Sequence, residues 1–374
     1  MYRIGFDAKR LFNNFTGLGN YSRTLLQNLA AYYPENAYFL YTPKIRRHPE
    51  TNFFLASPAY YVYEPRGPLR ALWRSWGVKN QLRRHRIQLY HGLSHEIPFG
   101  IQASDTKSVT TIHDLIFKAY PGQYRWADRQ IYDLKFGYAC RHSDSIVAIS
   151  EATKTDIIRY YNVPPEKISV VYQTCHERFM QERPNRELEE VCQKHGLPSS
   201  YMLYVGSVIE RKNLLGIVKA IALLPESLRL PLAIVGKGGS YQQQVIDYAR
   251  QNGLSKLLYF IFPEPAELPA LYQQATLFLY PSYAEGFGIP VIEALYSRTP
   301  VITSNCSSLP EAAGPGSWLA DPADPGHIAA GIERILTDDD FRIQMIQQGA
   351  AYAQRFHPKE LTTQMMDLYR RLIG

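Results

Sequence analysis

Residues 275–304 read ATLFLYPSYAEGFGIPVIEALYSRTPVITS. An apolar run ends at Tyr280, a glycine-bearing loop follows, Pro290 suits the first turn of a helix, and a second apolar run closes at Ser304. Strand, loop, helix, strand is the unit of a parallel sheet with crossover helices. The same alternation extends outward in both directions. In the second half, YMLYVGS, PLAIVGK, KLLYFIF, ATLFLYP and TPVITS predict strands, with helices starting near Asn213, Tyr241, Glu267, Gly288 and Pro325. In the first half, YRIGFD, NAYFLYTP, RIQLYHG, KSVTTIHD and DSIVAIS alternate with helical stretches. Regularity lapses around Thr174 to Pro184, and Pro358 should kink or split a terminal helical stretch. A chain of 374 residues exceeds what one core usually serves. Two doubly wound α/β domains are therefore expected, residues 1–180 and 181–355, with residues 356–374 a helix packing back toward the first. Such sheets take ligands at the carboxyl ends of their strands, so a ligand held by both domains would lie in a cleft between them.

The composition, 45% hydrophobic and 20% charged, excludes disordered, collagenous and coiled-coil classes. No window reaches the length of a spanning helix and the start lacks a signal-peptide core, so a cytosolic location is expected. Cys140, Cys175, Cys192 and Cys306 are too scattered for a metal cluster or a disulfide framework and read as reduced thiols. The net charge of +7 is uneven: residues 1–180 carry +10 and residues 181–374 carry −3. The first half should face something anionic.

Within the opening stretch, Glu285 sits in the loop after the strand and Glu293 about a turn into the helix. Gly286 and Gly288 admit close backbone approach, and the amides of Phe287, Gly288 and Ile289 at a helix start suit a diphosphate. Glu293 could accept from a ribose diol and Glu285 from sugar hydroxyls, the alternative being a loop acid and a solvated helix face. In YVGSVIERKN, Arg211 and Lys212 end another strand just before a helix that Asn213 can cap, a pair able to neutralise a diphosphate or merely decorate the surface. Gly17 and Gly19 of FTGLGN let the loop after the first strand approach a ligand. His113 and Asp114 close the strand in VTTIHD; His91 and His95 are weaker candidates, since a lone histidine is more often structural. No Walker loop, HExxH or GxGxxG fingerprint is present, which disfavours ATP phosphotransfer, a tight zinc site and a dinucleotide enzyme.

These segments resemble the family-four retaining glycosyltransferases of GT-B architecture, particularly their mannosyltransferase-like bacterial members. The resemblance spans nearly the whole length, from FDAKRLFNNFTGLGNYSRTLL through TIHDLIF and VAISEATKTDI to GSVIERKN and YPSYAEGFGIPVIEA. It implies two Rossmann-like domains facing each other across a deep cleft, with a nucleotide-sugar donor on the second and a glycan or lipid-linked acceptor on the first. By the same resemblance Arg211 and Lys212 hold the donor diphosphate, Glu293 the ribose and Glu285 the transferred sugar. His113 reaches that sugar, and Gly17 to Gly19 border the phosphates. It further implies transfer of a hexose, mannose from GDP-mannose, with retention, no cofactor and no metal ion. The chain departs from its relatives at VVYQTCHERF, where many read VVPNGVD, and at YFIFPEP, where Phe262 or Pro263 replaces a glycine of the base pocket. UDP- or ADP-glucose, UDP-N-acetylglucosamine, and a silent nucleotide-sugar binder stay open as alternatives, with a nicotinamide dehydrogenase behind them.

One segment stands outside this scheme. LRALWRSWGVKNQLRRHR interleaves Arg70, Arg74, Lys79, Arg83, Arg84 and Arg86 with Leu69, Leu72, Trp73 and Trp76. It reads either as peripheral contact with the inner face of an anionic membrane or, with greater weight, as a domain helix whose charges are solvated. Nucleic acid is disfavoured, since no known binding module is present.

Overall fold

The computed structural model describes residues 1–374 except Arg66, Pro68 and Leu69. Leu69, named above in the basic stretch, therefore lies outside the described residues. The chain divides into two compact units, Met1–Gln173 with Pro358–Gly374, and Thr174–His357. The first contains β1 (Arg3–Asp7), β2 (Ala37–Tyr41), β3 (Tyr60–Tyr63), β4 (Leu89–Gly92), β5 (Lys107–Ile112), β6 (Ser145–Ala148) and β7 (Ile168–Val170) in the order β3-β2-β1-β4-β5-β6-β7. The second contains β8 (Met202–Val205), β9 (Leu232–Val235), β10 (Leu258–Ile261), β11 (Leu277–Tyr280), β12 (Val301–Ser304) and β13 (Trp318–Ala320) in the order β10-β9-β8-β11-β12-β13. Every recorded strand pair is parallel. Strand order reverses between β1 and β4 in one sheet and between β8 and β11 in the other. Those two points are where doubly wound sheets open a crevice for ligands.

The interior strands match the apolar runs of the sequence because both their faces are covered. Three strands went unread: YYVY, ISV and WLA, which are β3, β7 and β13. Each lies at a sheet edge and spans three or four residues, too few to show a period.

The division between units corrects the expected boundaries at 180 and 355. Residues after Thr174 pack with the second unit: Phe179 sets its ring 5.6 Å from Tyr272, and Gln273 Nε2 donates to the carbonyl of Gln181 at 2.8 Å. The helix Pro358–Ile373 belongs to the first unit. Met365, Met366 and Tyr369 join Ile4, Phe6, Leu26 and Leu89 in its core, and Tyr33 Oη donates to Thr363 Oγ1 at 3.0 Å. The terminal helical stretch is split as expected, with helices Asp339–Ala353 and Pro358–Ile373.

In the second unit, two glycines keep the carboxyl edge of the sheet closely packed. Gly236, just after β9, has φ of 157°, and a Cβ there would lie 1.9 Å from the carbonyl oxygen of Gly206. Gly236→Ala is expected to cost about 3 kcal/mol of stability through clash and strain. Urea unfolding measures this; a loss below about 1 kcal/mol would show that the two loops yield easily.

Candidate active site

The second sheet's reversal point gathers charge. The turn after β8, Glu210–Lys212, brings Arg211 and Lys212 beside the loop after β11 that carries Glu285. Arg211 Nη1 and Lys212 Nζ each lie 3.0 Å from Glu285 Oε1, and Tyr280 Oη donates to the same oxygen at 3.1 Å. Lys212 Nζ also donates to Tyr280 Oη and lies 4.6 Å from the centre of that ring. Three donors thus converge on Oε1, while Oε2 has no recorded partner among the described residues. A carboxylate held in that way keeps acceptor capacity for a ligand hydroxyl.

Burial alone would raise the Glu285 carboxyl. The charges and hydrogen bonds of Lys212 and Arg211 outweigh it and hold the group below its ordinary value. The cluster is therefore one anion shared by two cations, with a net positive charge of one. An incoming diphosphate would find both cations already oriented.

Local structure explains the placement. Asn213, at φ 57°, caps the helix Leu214–Leu223 by accepting from the amide of Gly216 at 3.2 Å. Its Nδ2 also donates to the carbonyls of Pro281, at 3.2 Å, and Pro322, at 2.7 Å. The turn bearing the cations is thus fastened to the loop bearing the acid. Arg211 Nη1 adds a hydrogen bond to the Ala284 carbonyl. On the far side, Ser307 Oγ accepts from the Glu285 amide at 3.1 Å, and Ser307 and Ser308 donate to its carbonyl at 2.7 and 2.8 Å.

Glu293 lies in the helix Ile289–Tyr296, and its Oε2 accepts from Tyr272 Oη at 3.0 Å. Burial pushes its carboxyl up to about 7, against the opposing effects of the Tyr272 hydrogen bond and the Arg178 charge. Its folded value lies above its unfolded one, so the native state binds the extra proton. Stability from this group is full below pH ~4 and falls as pH rises toward 7. Burial raises the Tyr280 phenol, and the charges of Glu285 and Glu293 add to that rise.

Gly288 precedes the helix Ile289–Tyr296 at φ 125° with no side-chain cap, Pro290 occupies its first turn, and Phe287 is buried with its carbonyl accepting from Ser308 Oγ at 2.9 Å. Ile289 is the first helical residue. At the ends of β9 and β10, Lys237 Nζ lies 4.9 Å from the ring centre of Phe262, an exposed aromatic.

In the first unit, the candidates sit differently. Gly17 and Gly19 fall inside the first turn of the helix Gly17–Tyr32, not in a loop before it. A Cβ on Gly19 would lie 1.8 Å from the carbonyl oxygen of Asn14, so Gly19 serves its own chain's close approach, whereas Gly17 faces open space. His113 is buried, Nε2 donating to the Leu93 carbonyl at 2.8 Å and Nδ1 accepting from Gln173 at 3.0 Å. Burial lowers it to about 4, so it is neutral near pH 7. His91 is held equally firmly, by Tyr369 and Thr111, and is lowered to about 3. His95 is buried at a left-handed φ of 63°, stacked 4.2 Å from Phe136.

Sequence reading missed Tyr280, Tyr272, Ser307 and Ser308. Tyr280 looked like one more residue of an apolar strand, and only its position as the last one hinted at a polar tip at the sheet edge. Among the described residues no group of three or more His, Cys, Asp or Glu is placed to hold a metal ion.

Two parallel doubly wound units, one with a cluster of Arg211, Lys212 and Glu285 at its reversal point, define an α/β fold of the GT-B kind. Residues 188–352 match the family described as glycosyl transferases group 1, and residues 15–174 match glycosyltransferase family 4. The O-antigen chain mannosyltransferase B of Escherichia coli is 32% identical over 335 residues, covering 88% of this chain and 82% of that protein. The serotype-specific mannosyltransferase WbdA of Escherichia coli is 28% identical over 72% of this chain, which spans 34% of WbdA. Among solved structures, Anabaena HepE in complex with UDP aligns at a TM-score of 0.78 with 16% identity, over 99% of this chain and 100% of that one. The chain belongs to the group 1 glycosyl transferases and is a glycosyltransferase.

Proposed function

We propose that the chain transfers mannose from GDP-mannose to a glycan or lipid-linked acceptor in the assembly of a cell-surface polysaccharide, retaining the anomeric configuration and using no metal ion. The observation that supports this most is Glu285 at the reversal point, with one oxygen held by three donors, Arg211, Lys212 and Tyr280. The mannosyl choice rests on the named activities of the O-antigen and WbdA relatives. Arg211 and Lys212 take up the charge of the departing nucleoside diphosphate, helped by the uncapped helix start at Ile289. The leaving phosphate oxygen accepts the acceptor's proton from the same face, and Glu285 shields the cationic sugar. Glu293 binds the ribose. His113 can reach a sugar hydroxyl through Nδ1 only if Gln173 releases it.

Thermal-shift titration and transfer assays against GDP-mannose, UDP-glucose, ADP-glucose and UDP-N-acetylglucosamine test the donor. GDP-mannose is expected to give the largest shift and the only rapid turnover, unchanged by EDTA. A larger response to a uridine or adenosine donor would overturn the mannosyl reading, and loss of turnover in EDTA would overturn metal independence.

The ribose assignment makes a pH prediction. A carboxylate accepts from a diol better than a carboxylic acid does, so binding favours deprotonated Glu293. Below pH ~7, nucleotide affinity is expected to fall by up to about tenfold per pH unit, and calorimetry in buffers of differing ionisation heat should report proton release. In Glu293→Gln that pH dependence should vanish. Its persistence would assign the titration elsewhere.

A further inference from the structure

We infer that Gln173 positions His113: together with the Leu93 carbonyl it fixes the imidazole as its Nε2–H tautomer, so that His113 meets a ligand only as a hydrogen-bond acceptor and the group it takes there is a hydroxyl. This rests on the reading that His113 reaches the transferred sugar, and adds to it the polarity of the contact and the residue that sets it. His113 stands just after β5 and Leu93 just after β4, strands that neighbour each other. A backbone carbonyl can only accept, so the His113 nitrogen that lies 2.8 Å from it, Nε2, carries the proton. Burial keeps the imidazole neutral near pH 7, which leaves Nδ1 bare. The Gln173 group 3.0 Å from Nδ1 must then be the amide nitrogen, which donates, and not the carbonyl oxygen.

Packing holds the ring in that orientation. Tyr21 and His95 meet it edge-on, with ring centres at 4.7 and 5.1 Å, and His95 is itself stacked 4.2 Å from Phe136. Thr153 Oγ1 donates to the His113 carbonyl at 3.4 Å and ties down its backbone. His113 and Gln173 are both buried, at 4% and 6% exposure. Moving the proton to Nδ1 would set N–H against the Gln173 amide and a lone pair against the Leu93 carbonyl, and buried polar groups left in that way are costly.

The tautomer decides which ligand atoms His113 accepts. Nδ1 offers a lone pair, so an ionised phosphate or carboxylate oxygen is repelled there, whereas a sugar hydroxyl can donate. A hydroxyl that replaces the Gln173 amide makes one hydrogen bond where one is lost, so the exchange leaves Nδ1 satisfied. Gln173 is placed to make that exchange. It follows the edge strand β7, lies outside any helix or strand, and is the last residue of the first unit, where the chain passes to Thr174. The side chain that must give way thus stands at the end of its unit, held by no element of its own.

NMR of isotopically labelled histidine nitrogens tests the assignment with no donor or acceptor present, so its failure and that of the transferase reading are distinguishable. In the unaltered protein His113, assigned by the signals lost in His113→Gln, is expected to show one protonated and one bare ring nitrogen, with the proton on Nε2. Gln173→Glu sets an acceptor against Nδ1 and should protonate both nitrogens, whereas Gln173→Met, of similar length and with no donor, should leave Nδ1 bare. In transfer assays Gln173→Glu is expected to lose about 10²-fold in kcat with KM changed less than about threefold, and Gln173→Met less than about fivefold, because its Nδ1 can still accept. Nucleotide sugars with single hydroxyls replaced by fluorine, which cannot donate, should bind the unaltered protein about tenfold more weakly at one sugar position and Gln173→Glu evenly throughout. A proton on Nδ1 in the unaltered protein, or a bare Nδ1 in Gln173→Glu, would overturn the proposal. Equal losses of turnover in the two variants, or an even fluorine series with the unaltered protein, would overturn it as well.

Discussion

Glu285→Ala is expected to lower turnover by about 10³-fold while changing donor affinity by less than about threefold. In the resting protein this carboxylate lies 3.0 Å from both Arg211 Nη1 and Lys212 Nζ. Its removal frees two cations that would bind a diphosphate at least as well as before, so ground-state binding should survive. On the proposed mechanism, what disappears is the negative charge that faces a developing sugar cation. Single-turnover kinetics separate these effects, since the chemical step should slow while nucleotide titration gives an unchanged or tighter constant. Glu285→Gln keeps the shape without the charge and should be nearly as slow. Turnover equal to that of the unaltered protein would remove Glu285 from the reaction, whereas a large loss of affinity would make it a binding residue.

Lys212→Ala should act on the other side of the bond being broken. Lys212 donates to Tyr280 and to Glu285, and its ammonium lies over the Tyr280 ring. Without it, the leaving diphosphate loses a fixed cation, and a fall of about 10²- to 10³-fold in kcat/KM is expected. The carboxyl of Glu285, held low largely by Lys212, should rise, so the acidic limb of the pH–rate profile should move toward neutral pH. Arg211→Ala should show the same signs. The double variant should lose less than the product of the single losses, because both cations contact one acid and, on the proposed mechanism, one diphosphate. Strict additivity would show that they act on separate groups. Added Mg²⁺ should recover part of the rate in Lys212→Ala and none in the unaltered protein; stimulation of both would mean that the cations do not stand in for a metal.

The alternation of apolar runs and helical patterns was enough to read two doubly wound domains, because strands buried on both faces stay apolar throughout. It failed at β3, β7 and β13, which are short edge strands, and at the unit boundary, where Phe179 and Gln181 look like linker and pack as part of the second unit. The acids and cations of the site were legible because glycines and strand ends marked them. Their phenolic partners were not, since a tyrosine that closes an apolar strand has the same pattern whether its hydroxyl meets water or a lysine. The glycines of FTGLGN misled for a related reason. A pattern shows that close approach is needed, but only packing shows that the approaching group at Gly19 is the chain's own Asn14 carbonyl.

Sequence alone determined the class of fold, the family, and the presence of two acids with a basic pair at strand ends, since these depend on local periodicity and residue type. Tertiary structure decided which groups meet. It alone brought three donors to a single oxygen of Glu285, raised Glu293 by burial, and closed both nitrogens of His113. Each of these depends on residues distant along the chain, whose separation in space and exclusion from water are fixed only when the sheets close.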